Sequence, residues 1–144
     1  AGRAGRADLP GEVLIQTRYA RHPLYDAVVN HDYDHFATTL LEERAQAALP
    51  PYLFQALLRA EAPELATAIE FLQAAKECMA HPQVTINDPI PMSMTRVYNV
   101  DRAQLLLESP SRPALQAFLK EWLSELRAMK SRVKWSLEVD PLDI

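Results

Sequence analysis

Pro50 and Pro51 stand side by side, and they constrain the fold more than any other feature of this chain. The second proline has no N–H, and each disfavours a helical residue before it, so a helix cannot run through this point. The chain beyond them is regularly patterned. Leu53 to Ala60 reads as a strand, and Pro63 then opens a helix with Leu65, Ile69, Leu72 and Met79 along one face, ending near His81-Pro82. VTI at 84–86 begins a second strand that runs into the proline-broken DPIPMSMTRVYNV, and RAQLLLES at 102–109 is a third. Ser111-Arg112-Pro113 starts a second helix that buries Leu115, Phe118, Leu119, Trp122, Leu126 and Met129. In the closing VKWSLEV, Val133, Trp135, Leu137 and Val139 alternate with Lys134, Ser136 and Glu138, the pattern of a strand with one wet face. The order is β-α-β-β-α-β, class α+β. It suits a four-stranded antiparallel sheet with both helices on one face, the ferredoxin-like split β-α-β arrangement.

Ahead of the prolines, EVLIQT at 12–17 reads as a short strand, followed by two helical pieces, the first opening at Pro23 and the second carrying Phe36, Leu40, Leu41 and Ala45. The chain is therefore expected to divide into residues 1–50 and 51–144. With 144 residues and 49% hydrophobic ones it can build a core. It has no long apolar run and no charged-then-apolar leader, so the expectation is a soluble, cytoplasmic protein without membrane partners. The single cysteine, Cys78, lies in a helical apolar pattern and reads as a small core hydrophobe.

The net charge of −4 argues against a general polyanion binder, but the charges are unevenly placed. Arg3, Arg6, Arg18 and Arg21 cluster at one end, and Arg127, Lys130, Arg132 and Lys134 near the other, while the middle is acidic. Nucleic-acid contacts belong at the two ends. Tyr98, between Arg96 and Arg102, reads equally as a ring on which a base can stack and as an exposed loop tyrosine. His31 and His35 in HDYDHF are four apart and would face one metal if they shared a helix; a solvated junction between two helices explains them better, and no metal site is assigned. No nucleophile is accompanied by a base, and the three glycines, at 2, 5 and 11, make no phosphate loop. The opening GRAGR sets Arg3 and Arg6 three residues apart, on one side of a helical turn, where bidentate guanidinium groups suit phosphate.

In context, AGRAGRA resembles the end of motif VI of superfamily 2 helicases. GRAGRADLPGEVLIQT, then HPL, DY, a helix ending in ER, LPP, LLRAE, QLLLESPSR, ALQ and VKWSLEVDPL together resemble the PriA family of replication-restart helicases (primosomal protein N′). The resemblance runs over nearly the whole chain. It implies a parent protein that is an ATP- and Mg²⁺-dependent 3′–5′ DNA helicase, with zinc in a cysteine-rich insertion, recognising stalled forks and starting primosome assembly. By the same resemblance, Arg3 and Arg6 match the motif VI arginines that reach the γ-phosphate, Arg6 being the better finger. Residues 1–50 become the tail of the second helicase lobe. Residues 51–144 become a C-terminal domain similar in fold to a small-subunit ribosomal protein, contacting DNA, the acidic tail of single-stranded DNA-binding protein and other primosome proteins. The tail-binding residues carry over to Arg112 and Gln116 in SPSRPALQ. An anion at a helix N-terminus agrees with that position. The Walker lysine and the zinc insertion lie outside this sequence, so it is expected to bind no cofactor and to be inactive as an ATPase by itself. Asp88 and Asp101 depart from the family pattern and lower the positive charge of the face that carries Arg96, Tyr98 and Arg102. The competing reading is a free-standing RNA-binding or ribosome-associated α+β module on the same sheet.

Overall fold

The computed structural model describes residues 13–97 and 99–142, with the backbone alone for residues 94–97. The chain divides into two compact units, Ala1–Glu43 and Arg44–Ile144. In the first, residues 13–17 form no strand, contrary to expectation. A strand is held by its ladder; among the described residues these five enter no strand pairing, and Val13, Leu14 and Ile15 stay exposed. Helix α1, Pro23–Asn30, has Pro23 in its first turn and is capped by His22, whose Nδ1 accepts from the Leu24 N–H at 3.2 Å. It stops at His31, left-handed at φ 55°, whose N–H turns back to Ala27 and Val28. Helix α2, Tyr33–Gln46, comes next, with Asp32 Oδ1 accepting from the His35 N–H at 3.2 Å. Neither helix holds a buried residue.

The second unit contains β1 (Phe54–Ala62), α3 (Leu65–Glu77), β2 (Thr85–Ile86), β3 (Ile90–Val97), β4 (Val100–Ser109), α4 (Arg112–Ala128) and β5 (Lys134–Val139). Among the described residues these five strands form one antiparallel sheet in the order β2-β4-β1-β5, with β3 also on β4. The expected four strands become five because the second is cut in two: β2 lies along Leu107–Glu108 and β3 along Val100–Gln104 of the same β4 edge. Asp88-Pro89 falls in the gap, and Pro91, without an N–H, sits on an edge strand beside a shift of register. Counted by edges, the order is that of the split β-α-β fold.

The pleat sends Ala56, Leu58, Ala60 and Ala62 of β1 and Ala103, Leu105 and Leu107 of β4 to one face. There they meet Ala68, Phe71, Leu72 and Ala75 of α3 and Leu115, Phe118, Leu119, Trp122 and Leu126 of α4 in one core. Alanines on both sides of the α3 contact leave little side-chain bulk between helix and sheet. Leu65, Ile69 and Met79, expected along that face with Leu72, are partly buried and pack against the core. Trp122 is fully buried, and its Nε1–H donates to the Ala75 carbonyl at 2.8 Å, tying α4 to α3. The start of α3 is capped from a distance: Glu64 makes no side-chain cap, and Asp101 Oδ2 on β4 accepts from the Leu65 N–H at 3.1 Å. Cys78, at the C-cap of α3, is exposed rather than in the core, because α3 turns its buried side at Ala75 and ends before another turn can cover it.

Candidate functional site

The site begins where β4 hands over to α4. Ser109, fully buried, accepts from the Ser111 N–H through Oγ at 3.1 Å, and Ser111 Oγ in turn accepts from the Ala114 N–H at 3.3 Å as the α4 cap. Arg112, the first residue of α4, is held between two groups. Its guanidinium carbon lies 4.7 Å from the centroid of the Phe54 ring, and Nη1 donates to Asp140 Oδ2 at 2.9 Å. Both charged side chains are about half exposed, at 53% and 49%. Gln116, one turn further on, lines a groove of about 540 Å³ between α4 and β5, together with Ala117, Leu119, Lys120, Leu123, Leu137 and Val139. The structure therefore places Arg112 and Gln116 on one helix beside a mostly apolar groove. Phe54, Asp140 and the groove are additions that spacing did not disclose. An amphipathic helix beside an alternating strand is the only trace they leave in the sequence.

The basic candidates collect at the opposite end of the sheet. Register sets Arg102, Glu61 and Lys134 in one rung across β4, β1 and β5. Glu61 is shared: Oε1 is 3.5 Å from Arg102 Nε and Oε2 is 3.4 Å from Lys134 Nζ. The Arg102 contact is an ion pair without a hydrogen bond, since its buried Nε has none. Lys134 is 85% exposed, and Lys130 and Arg132 precede it in the exposed segment between α4 and β5. Arg96 lies opposite Asp101 in the β3–β4 register. Tyr98, Arg3 and Arg6 lie outside the described residues. The two aspartates that depart from the family pattern have structural partners. Asp101 caps α3, and Asp88 Oδ1 accepts from Lys76 Nζ at 2.7 Å, a contact that holds its carboxyl below the ordinary value of 3.8.

The sheet face turned away from the helices carries Gln55, Leu57, Arg59 and Glu61 on β1 and Arg102, Gln104, Leu106 and Glu108 on β4. No aromatic stands among them, so the central strands offer no base-stacking platform of the kind RNA-binding sheets use. Glu108 accepts from Gln55 and Asn87, both at 2.9 Å, and Arg59 meets Glu138 at 2.6 Å.

His31 and His35 do not share a helix: His31 ends α1, and only His35 lies within α2. They line different cavities, His35 one of about 460 Å³ with His22, Asp26, Asp32 and Glu43, and His31 one of about 280 Å³ with Leu24, Val28 and Phe36. Among the described residues no three His, Cys, Asp or Glu side chains are grouped to hold a metal, and no helix is long and apolar enough to cross a membrane.

The split β-α-β sheet with α3 and α4 on one face defines a small α+β domain. Comparison with known proteins is more specific. Residues 45–142 match the family model described as the primosomal protein N C-terminal domain, and the chain belongs to that family. It is similar to the replication restart protein PriA of Haemophilus influenzae, 38% identical over all of this chain and 20% of that protein. The PriA proteins of a Synechocystis strain (35%, all of this chain and 17% of theirs) and of Treponema pallidum (30%, all of this chain and 22% of theirs) are similar too. The chain thus spans about a fifth of the length of the relatives it matches.

Proposed function

We propose that this chain is the C-terminal part of a replication-restart helicase and that its Arg44–Ile144 unit docks partners rather than performing catalysis. Similarity along the whole chain to proteins named replication restart protein PriA supports the parent. In that parent, residues 1–50 complete the second helicase lobe, Arg3 and Arg6 approach the nucleotide, and ATP, Mg²⁺ and zinc are held by residues outside this sequence. The parent works on forks and single strands in the cytoplasm, at the nucleoid, with other primosome proteins as partners.

The observation that carries the docking role is Arg112. It heads a capped helix N-terminus, its guanidinium lies against an aromatic ring, and it leads by way of Gln116 into an apolar groove. An acidic peptide with an apolar anchor matches this sequence of charge and then groove, and the acidic tail of single-stranded DNA-binding protein is the acidic partner proposed for it. DNA contact falls to the other end, to Lys130, Arg132 and Lys134, with Arg102 and Arg96 behind them.

The test is a titration of a synthetic acidic peptide with an apolar terminal residue against the wild-type chain and Arg112→Ala. About tenfold weaker binding by the variant is expected, from the size of hydrogen bonds to charged groups. Equal affinity would remove Arg112 from the site. ATP turnover by the chain alone would overturn its docking-only role.

A further inference from the structure

The partner of Arg112 is already a carboxylate. Asp140 makes, within the chain, the same guanidinium contact that an acidic peptide would need, at 2.9 Å. We infer that Asp140 is a built-in occupant of the Arg112 site, which an acidic peptide must displace, so that Asp140 sets the affinity threshold of the site. This inference rests on the reading of Arg112 as a peptide receptor.

Asp140 is positioned for the purpose by its backbone. It comes directly after β5, and its N–H donates to the Gln55 carbonyl at 2.9 Å, adding one further bond past the last paired residue. Its φ of 52° is left-handed, a region that aspartate enters more readily than most residues. That conformation ends the extended run of β5 at the residue whose carboxylate meets the first turn of α4. Val139, the residue before it, forms part of the groove wall. Charge site and groove are therefore adjacent along one strand.

The alternative role, that Asp140 positions Arg112 for its ligand, is less consistent with the surroundings. The guanidinium is located by other means: the Phe54 ring lies beneath it, and Phe54 is itself packed against the core. The backbone of Arg112 is fixed by the Ser111 cap. What Asp140 adds is a negative charge, and it offsets the positive charge of Arg112 that the site needs. Because both side chains are about half exposed, the pair is weak enough to be exchanged for a ligand that brings several carboxylates and an apolar anchor.

Three variants of the 144-residue chain test this with one synthetic peptide carrying three aspartates and a terminal apolar residue: Asp140→Asn, Arg112→Ala and the two combined. Asparagine tolerates the left-handed backbone, so the fold is retained, and a denaturant titration checks that it is. Asp140→Asn is expected to bind about two- to fivefold more tightly than wild type at low salt, the range an exposed ion pair spans. The gain should shrink as salt rises. In the Arg112→Ala background, Asp140→Asn should change nothing. Unchanged or weaker binding by Asp140→Asn, with the Arg112→Ala loss intact, would overturn the inference and leave Arg112 as the receptor. Equal binding by Arg112→Ala and wild type would remove the receptor itself, and the inference with it.

Discussion

Two acidic residues that lower the charge of the face proposed for nucleic acid prove to have structural work at the residue scale. Asp101 caps α3, and an N-cap lost to alanine costs about 0.5–2 kcal/mol. Asp101→Ala should therefore lower the unfolding free energy by that amount, read as a lower urea midpoint with an unchanged dependence on denaturant. Asp88 is fully solvated, and its pKa is depressed first by the hydrogen bond from Lys76 and then by that group's charge. A carboxyl depressed in the folded state stabilises above its unfolded pKa, near 3.8, and that contribution is lost as the pH falls through the lowered folded value. The expected outcome is a small difference in Tm between wild type and Lys76→Ala at neutral pH that closes in acid; a difference independent of pH would mean that Lys76 acts through packing. Arg112 was legible as a helix N-terminal residue because Ser-Arg-Pro is a start signal. Its partner was not, since Asp140 lies 28 residues away and arrives through strand register and one left-handed residue. Cys78 misled for a related reason: periodicity marks a face, and says nothing of where the helix runs out.

The elements themselves were largely readable. Alternation along β5, the punctuation at Pro63 and Pro113 and the apolar stripe of α4 each rest on local chemistry, and each is present in the structure. The errors concern pairing. Residues 13–17 have a strand's composition and no ladder among the described residues; β2 and β3 share an edge because prolines interrupt it. His31 and His35 are no such error: they fall on either side of a helix end, at the junction between two helices that the sequence favours. The join between α3 and α4 also lies beyond sequence, since it depends on Trp122 reaching Ala75 across 47 positions. Trp122→Phe keeps most of the volume and removes the donor, so about 1–3 kcal/mol of stability should be lost in equilibrium unfolding. A neutral result would assign the join to packing alone.

At the scale of the Arg44–Ile144 unit, the two candidate surfaces lie at opposite ends of the sheet. Seven residue steps of β1 separate Phe54 from the Glu61 rung, about 23 Å at the usual rise of a strand. Surfaces that far apart with no shared residue should act independently. Lys130→Ala with Arg132→Ala is expected to weaken DNA binding and reduce the slope of log affinity against log salt by about 1.4 for single strands, while leaving the acidic peptide's affinity unchanged. Competition between peptide and DNA for the isolated chain would contradict this separation.

The placement of β1 has a further consequence for synthesis. The first strand made is an inner one, and its neighbours are β4 and β5, so Ala56 waits for both Leu107 and Val139 to be translated. A nascent chain that has reached residue 133 holds every helix of the unit and still shows β1 with a bare edge, open to pairing with a neighbouring chain. Cotranslational folding of this unit cannot proceed strand by strand, and a ribosome that stalls before residue 134 leaves a product marked by that edge for proteases and chaperones.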